Sequence, residues 1–414
     1  MKIVSLEFTN FKGIKNLRLD LEGKSVVFFG VNGVGKSSIL RGINLLYSNI
    51  INKVVKNRFK QRINIELSDI SVDAQSCSVS AELKFSDGFT VQYHRIMDKK
   101  NKKRVHFGSA LDSIGKYFEQ NYSEKNKNIP IFVNYGVNRL VLDIPLRIRT
   151  KHIFDREAAF EKAIENRIDF RTFFEWFRHQ EDFENQQKVR ERKNYEDIQL
   201  KAVRTAITNM FDGFSDLRIE RSPLSMKINK RRTTLSIEQL SDGEKCTLAL
   251  IGDLARRLSL ANPSGKNPLL GEGVVLIDEI ELHMHPAWQR EILSKLKKIF
   301  PNIQFIITTH SPQVLGESGE DFTTFSLYIT DRELKFTKTG PLTGWNSNYI
   351  LEEQMGTASL NRETKELISS MYKDFENRDY ETAREKAEKL EKITNSAHED
   401  VVRINILLER ARNK

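Results

Sequence analysis

The sequence has few cysteines and no long hydrophobic run. Cys77 and Cys246 are the only two cysteines among 414 residues, too few for a disulfide framework or a four-cysteine zinc site. No apolar segment approaches the roughly 20 residues that cross a bilayer. The N-terminal residues alternate as in a strand and do not form the apolar block of a secretory signal. The sequence therefore predicts a soluble, cytoplasmic protein with no membrane partner.

Positive charge is in excess. Lysine and arginine number 66 and aspartate and glutamate 56, which gives a formal net charge of +10. Such an excess favours a polyanionic partner such as nucleic acid. The basic run Lys99 to Arg104 predicts an exposed hairpin, which is either a nucleic-acid contact or a solvated loop tip.

The hydrophobic pattern changes several times along the chain. Three short strand patterns fill the first 30 residues, and a helical spacing follows from Lys36. Residues 50–128 show interrupted strand patterns that predict an antiparallel β subdomain. Residues 151–210 contain no glycine or proline and predict an inserted helical arm. Residues 350–414 predict a helical tail with apolar stripes at helical spacing.

A phosphate-binding loop is the first chemical motif. The segment Gly30 to Ser37 fits GxxxxGK[ST] and lies between a predicted strand and a predicted helix, as the mechanism requires. Glycines let backbone N–H groups curl around phosphates, a lysine reaches the β and γ phosphates, and a serine ligates Mg²⁺. A chance match is the alternative, which the strand-to-helix context disfavours. The predicted ATP-binding residues are Asn32, Gly33, Gly35, Lys36, Ser37 and Ser38.

A pair of acids follows a strongly apolar strand. The run Gly273 to Ile277 is typical of a fully buried parallel strand, and it ends in Asp278 and Glu279. We predict a Walker B element, in which Asp278 and Ser37 hold Mg²⁺ and Glu279 polarises the attacking water. A solvated pair of acids at a strand end is the alternative, and the presence of a phosphate-binding loop disfavours it.

Two further motifs are weaker on their own. Leu240 to Lys245 precedes an apolar helix, and Ser241 and Gly243 either present a hydroxyl and a helix N-terminus to a γ-phosphate or form an ordinary helix cap. His310 follows a predicted strand and is either a residue that senses the γ-phosphate or a structural histidine. The motifs follow one another in the order found in ABC ATPases: Lys36, Ser241, Asp278, Glu279 and His310.

Taken together, these motifs resemble the SMC/RecF/OLD branch of ABC ATPases and, within it, the PtuA family of ATPase subunits from Septu anti-phage systems, which also occurs with some retrons. The resemblance implies ATP hydrolysis with Mg²⁺ in a head-to-tail dimer and a PtuB-like HNH nuclease as partner. It places a Q-loop after Tyr135, where this chain has Asn138 and Arg139 but no glutamine. It also places the D-loop at His283 to Pro286, a segment that would face the dimer interface.

Rival functions differ in what they require. A nuclease of the OLD type would need an Asp-x-Asp cluster, and none occurs in the 104 residues after His310. A long coiled coil of the SMC type is also absent from the sequence. The remaining alternative is a RecF-like DNA repair clamp that binds DNA directly.

The predicted fold class is α/β. An ABC-type P-loop ATPase head spans residues 1–349 and contains a mixed sheet, an antiparallel β subdomain and a helical lobe. The tail, residues 350–414, is a candidate partner-binding region. Its stripes, centred on Ala387 and Leu390 and on Ile404, Leu407 and Leu408, need either the ATPase core or a partner to cover them.

Overall fold

The computed structural model describes residues 1–55, 59–100, 104–106, 108–123, 128–139, 153–190, 194–358 and 360–412. The chain divides into two compact units, Met1–Asn346 and Ser347–Lys414, next to the domain boundary expected at residue 349. Among the residues described, no helix combines the length and the hydropathy needed to cross a membrane.

The strands are β1 (Lys2–Phe11), β2 (Ile14–Asp20), β3 (Ser25–Phe29), β4 (Ser76–Lys84), β5 (Thr90–Asp98), β6 (Arg104–His106), β7 (Ile131–Tyr135), β8 (Phe214–Arg221), β9 (Leu224–Lys230), β10 (Thr233–Ser236), β11 (Gly273–Ile277), β12 (Ile303–Thr309), β13 (Phe322–Thr330) and β14 (Glu333–Thr339). The helices are α1 (Lys36–Val54), α2 (Gly108–Ser123), α3 (Phe170–Arg190), α4 (Ile198–Met210), α5 (Asp242–Ala261), α6 (Pro286–Gln289), α7 (Ile292–Ile299), α8 (Pro312–Leu315), α9 (Ser347–Tyr349), α10 (Arg362–Glu376), α11 (Tyr380–Ile393) and α12 (Glu399–Arg412).

A six-stranded mixed sheet forms the centre of the first unit. Its order is β14-β13-β3-β12-β11-β7, and all neighbours are parallel except β13 and β14. Strands β3, β7, β11 and β12 are buried along their whole length, as expected of parallel strands covered on both faces. The carboxyl ends of these four strands meet at one edge of the sheet.

A second, antiparallel sheet has the order β2-β1-β4-β5-β6. It differs in extent from the expected subdomain at 50–128, because β1 and β2 belong to it, α1 continues to Val54 and α2 lies inside that range. The pairing of β1 with β4 joins segments about 75 residues apart in the chain, which local patterns do not reveal. Strands β5 and β6 flank the predicted basic hairpin, whose residues 101–103 lie outside the described residues.

Helices α3 and α4, which lie within the predicted helical arm at 151–210, form a packed lobe. Helices α3 and α4 both contact α5, and Phe173, Phe174, Trp176 and Phe177 are fully buried, as their spacing on one helical face predicts. A Cβ added at Gly252 of α5 would lie 2.9 Å from the Phe173 ring. Helices α3 and α5 therefore approach closely at this glycine.

A small antiparallel sheet, β10-β9-β8, precedes Leu240 to Lys245, which we call the signature-like segment because it resembles the signature motif of ABC ATPases. The sequence patterns did not predict this sheet. The turn residues between β9 and β10, Arg231 and Arg232, are charged, and the strands carry a charged or polar residue at most outward positions. The last residue of β9, Lys230, forms an ion pair of 2.6 Å with Glu244 at the start of α5, which connects this sheet to the signature-like segment.

The second unit contains a three-helix cluster in which α10, α11 and α12 pack on one another. Its buried core is made of Met371, Ala383, Ala387, Leu390, Val401, Ile404 and Leu408. The expectation that the ATPase core or a partner covers the two apolar stripes assumed that nothing within the tail could cover them. That assumption was wrong. Helix α10, which the pattern analysis missed, supplies Met371 and completes the cover from within the tail.

Candidate functional site

The predicted site residues follow the strands that meet at one edge of the mixed sheet. Thr309 pairs in register with Phe29, and Ile277 pairs with both Ile307 and Tyr135. The phosphate-binding loop, the paired acids and His310 therefore leave neighbouring strand ends. Ligands of open α/β sheets bind at this edge.

The phosphate-binding loop has the backbone that its glycines permit. Gly30, Gly33 and Gly35 all have positive φ values, of 144°, 78° and 117°, and helix α1 begins directly after Gly35. A Cβ added at Gly33 would meet nothing within 4 Å, whereas one at Gly30 would lie 2.3 Å from the carbonyl oxygen of Leu327 in β13. The loop is therefore open at Gly33 and closely packed at Gly30, and an open concave backbone at a helix N-terminus suits a phosphate.

Lys36 points into this loop. Its Nζ donates hydrogen bonds to the carbonyl oxygens of Gly30 at 2.8 Å and Val31 at 3.0 Å. Burial lowers the pKa of Lys36, and the carboxylates of Asp278, Glu279 and Glu281 act in the opposite direction. The ammonium group thus lies among carboxylates and loop carbonyls, where a phosphate would bring negative charge.

Two motifs that are 241 residues apart in the chain meet at one hydrogen bond. The Oγ atom of Ser37 donates to Oδ2 of Asp278 at 3.1 Å. The Oδ1 atom of the same carboxylate accepts a hydrogen bond of 2.5 Å from Oγ1 of Thr308 in β12. A hydroxyl and a carboxylate oxygen at this separation are ligand types that suit Mg²⁺. The donor set therefore fits the metal that the sequence predicts.

Glu279 occupies an unusual backbone conformation. Its φ is 48°, a left-handed value that costs a non-glycine residue about 1–3 kcal/mol. Its amide donates to Oγ1 of Thr308 at 2.8 Å, and Nη2 of Arg139 donates to the carbonyl oxygens of both Asp278, at 2.9 Å, and Glu279. Contacts from two neighbouring strand ends therefore hold this peptide, and Thr308 and Arg139 have roles that the motif patterns did not show.

His310 is held by a third acid. Glu281 accepts hydrogen bonds from the amide of His310 at 2.6 Å and from Oγ1 of Thr309 at 2.8 Å. Burial and the nearby Lys36 lower the pKa of His310, although the three neighbouring carboxylates oppose this. The net lowering of its pKa favours the neutral form of the imidazole. Glu281 was missed by the sequence reasoning, although it lies only two residues after Glu279.

Ser241 and Gly243 lie at the start of α5. Ser241 is exposed and forms a capping box with Glu244, whose Oε2 accepts from the Ser241 amide and hydroxyl at 3.0 Å. A Cβ at Gly243 would lie 2.2 Å from the carbonyl oxygen of His283. In the part of the chain that the structure describes, no hydrogen bond joins Ser241 to the phosphate-binding loop. The capping alternative is thus satisfied, and the hydrogen bond between Ser37 and Asp278 forms without Ser241.

A buried charge cluster connects α5 to the strand end beside the acids. Asp253 is fully buried and accepts hydrogen bonds from Arg256 at 2.7 Å, from Arg257 at 2.7 Å and from the Tyr135 hydroxyl at 2.8 Å. Burial alone would raise the pKa of Asp253, but Arg257 and Arg256 hold the pKa at about 2. The backbone carbonyl oxygen of Tyr135 in turn accepts a hydrogen bond of 2.9 Å from the amide of Asp278.

A comparison with protein families gives one match across this site. Residues 25–316 match the family described as "AAA domain, putative AbiEii toxin, Type IV TA system", a span of more than half the chain. The chain belongs to this AAA domain family. The match includes β3, the phosphate-binding loop, both acids of the Walker B segment and His310.

Curated relatives cover most of the chain. It is 28% identical over 444 residues to the retron Ec83 probable ATPase of Escherichia coli, covering 91% of this chain and 80% of that protein. It is 28% identical to the retron Vc95 probable ATPase of Vibrio cholerae, covering 76% and 71%. The Septu protein PtuA of Bacillus thuringiensis is 26% identical, covering 86% and 84%. The expected kinship with Septu and retron ATPases is confirmed.

Solved structures of similar outline include SMC heads. An SMC head bound to the C-winged helix domain of ScpA is 16% identical, with a TM-score of 0.49, and the match covers 82% of this chain and 98% of that chain. The expected fold class is confirmed by the strands and helices of the chain itself: a mixed sheet with a phosphate-binding loop, an antiparallel sheet, a helical lobe and a helical tail.

Proposed function

We propose that the chain hydrolyses ATP at a composite site between two copies arranged head to tail. The hydrogen bond between Ser37 and Asp278 carries the proposal, because it unites the phosphate-binding loop and the Walker B acids within one chain. Ser241 is exposed at the N-terminus of α5 and hydrogen-bonds within its own capping box. Its exposed hydroxyl and the helix N-terminus are accessible to a γ-phosphate held by a second copy, for which the hydroxyl would exchange its hydrogen bond to Glu244.

Each residue has a distinct role in this proposal. The backbone from Asn32 to Ser38 and the Lys36 ammonium bind the phosphates. Ser37 and Asp278 would hold Mg²⁺, which when bound offsets the negative charge of the phosphates. Glu279 orients the attacking water, and His310 donates a hydrogen bond toward the γ-phosphate.

We further propose that this ATPase is the switch subunit of an anti-phage defence complex and that it controls a partner HNH nuclease. Its similarity to retron and Septu ATPases supports this role, and the excess of positive charge is compatible with a nucleic-acid target. Purification of the tagged chain from its native host, followed by mass spectrometry, tests the partner. Recovery of an HNH protein supports the proposal, whereas direct DNA binding without such a partner favours a RecF-like clamp.

The chemistry is tested with Glu279→Gln. Loss of a general base typically slows catalysis by about a hundred- to ten-thousand-fold, while Lys36, Ser37 and Asp278 still bind the nucleotide. We therefore expect ATP to trap a dimer that size-exclusion chromatography with light scattering detects. Exposed Glu320 provides the matched control, since Glu320→Gln makes the same chemical change outside the site. A severalfold or smaller loss of turnover in Glu279→Gln contradicts the assignment of the water-orienting group.

A further inference from the structure

Arg139 is a buried arginine at the edge of the proposed ATPase site. It follows β7, the neighbour of β11, and the parallel register of Tyr135 with Ile277 brings the two strand ends side by side. Only 3% of Arg139 is exposed. Its Nη2 group donates to the carbonyl oxygen of Asp278 at 2.9 Å and to that of Glu279 by a second hydrogen bond.

The peptide that Arg139 contacts is the one that sets the direction of the Glu279 side chain. Glu279 has a φ of 48°, so the chain turns sharply after Ile277 and its carbonyls leave the pairing pattern of the sheet. Buried carbonyls need hydrogen-bond donors, and a guanidinium group supplies strong, charge-assisted ones. Thr308 satisfies the amide of Glu279 at 2.8 Å, and Arg139 satisfies the carbonyls.

The position of Arg139 also matters electrostatically. Burial lowers the pKa of Arg139, and Glu281, Asp278 and Glu279 oppose that shift. The positive guanidinium therefore interacts favourably with these carboxylates. Its hydrogen bonds, however, go to backbone oxygens, so Arg139 does not occupy the carboxylate groups of Asp278 and Glu279.

We propose that Arg139 is a positioning residue for ATP hydrolysis, which fixes the left-handed peptide of Glu279 and thereby aims its carboxylate at the attacking water. The proposal rests on the function proposed above for Glu279. Arg139 acts through the backbone and does not itself touch nucleotide. Its removal should slow the chemical step and leave nucleotide binding largely intact.

The test compares Arg139→Met with Arg139→Lys in the full chain. A small displacement of a catalytic group can cost about a hundredfold in rate, so we expect Arg139→Met to lower kcat by roughly that factor. We expect the dissociation constant for a non-hydrolysable ATP analogue, measured by calorimetry, to change by less than about threefold. Arg139→Lys keeps one charged donor and should lose roughly tenfold in kcat, so the prediction can still be measured if the methionine variant does not fold.

Arg156→Met provides the matched control. Arg156 also donates to a backbone carbonyl, that of Ala261 at 3.1 Å, but at the opposite end of α5 from Ser241. The Arg156→Met variant should therefore retain the wild-type kcat. Equal turnover in Arg139→Met, Arg139→Lys and the wild type would overturn the proposal, as would a loss of nucleotide affinity as large as the loss of kcat.

A double-mutant cycle separates this proposal from the one on which it rests. If Arg139 acts through Glu279, Arg139→Met should cause no further loss in a Glu279→Gln background, because the group that it positions is already gone. Multiplicative losses would show that Arg139 acts by another route and would overturn the inference. If Glu279→Gln alone turns over normally, the proposed function itself fails. If Glu279→Gln stalls and Arg139→Met does not, only the positioning role fails.

Discussion

Replacing Asp253 by asparagine should strongly destabilise the first unit. Asp253 is fully buried and neutralises the charges of Arg256 and Arg257, which are also buried. It also accepts a hydrogen bond from the hydroxyl of Tyr135. The asparagine is of similar size, so it leaves no cavity. It does leave two buried guanidinium groups without a countercharge, and breaking a buried ion pair in this way costs about 3–5 kcal/mol.

Urea denaturation followed by tryptophan fluorescence measures this loss. Trp176, Trp288 and Trp345 are the three tryptophans of the chain and all lie within Met1–Asn346, so the signal reports that unit and not the helical tail. Asp242→Asn is the matched control, because Asp242 is exposed and its pair with Lys245 at 3.2 Å lies at the surface, where such pairs contribute about 0–1 kcal/mol.

The refuting result is a loss below about 1 kcal/mol for Asp253→Asn, similar to that of the control. Such a value would mean that the two arginines find other acceptors at little cost. Arg257 already donates to the carbonyl oxygens of Ala159 at 2.7 Å and Glu161 at 2.9 Å. Those bonds satisfy its donors, but they cannot neutralise its charge.

Three further predictions follow from named contacts. Lys36→Ala should abolish productive ATP binding without unfolding the chain, because the ammonium that offsets phosphate charge is lost; an unchanged affinity in calorimetry would contradict the loop assignment. The pKa of Asp253 is held at about 2, below its ordinary value, so its contribution to stability is full above about pH 4 and is lost as the pH falls toward 2; acid unfolding of the wild type should show this loss and that of Asp253→Asn should not. Leu408→Ala should destabilise the tail by about 2–5 kcal/mol, since Leu408 is in its core, whereas Ile406→Ala, at a position 46% exposed, should be nearly neutral; equal hydrogen exchange of α12 in the two variants would contradict the tail core.

The sequence was most informative where a motif is contiguous. The glycine spacing from Gly30 to Ser37 and the apolar run before Asp278 predicted both the strands and the loops that follow them, because each depends on local backbone and burial requirements. Thr308 and Glu281 were harder to recognise. Thr308 lies two residues before His310, and Glu281 lies two residues after Glu279. The role of each nevertheless depends on a partner about 30 residues away in the chain, and no spacing rule encodes that distance.

Other features were missed although a signal existed. Helix α10 carries Leu367, Met371 and Phe375 at i, i+4 and i+8, a spacing that predicts an apolar face. The sequence patterns predict only two helices in the tail. Without a third helix, the apolar stripes of α11 and α12 have no cover inside the tail, which is why, from the sequence alone, we expect the ATPase core or a partner to cover them. The small sheet β8 to β10 gave a weaker signal because charged residues interrupt its alternation.

The missing side chain at Gly243 has a consequence for how two active sites would work together. Because the first turn of α5 lies directly against the His283 carbonyl, the exposed Ser241 and the segment after Glu279 cannot shift independently by more than a small amount. In the proposed head-to-tail dimer, a nucleotide that contacts Ser241 of one subunit would therefore also act on the segment after Glu279 in that same subunit. Two sites coupled in this way are expected to depart from independent behaviour, so that the rate of hydrolysis would deviate from a hyperbolic dependence on ATP concentration.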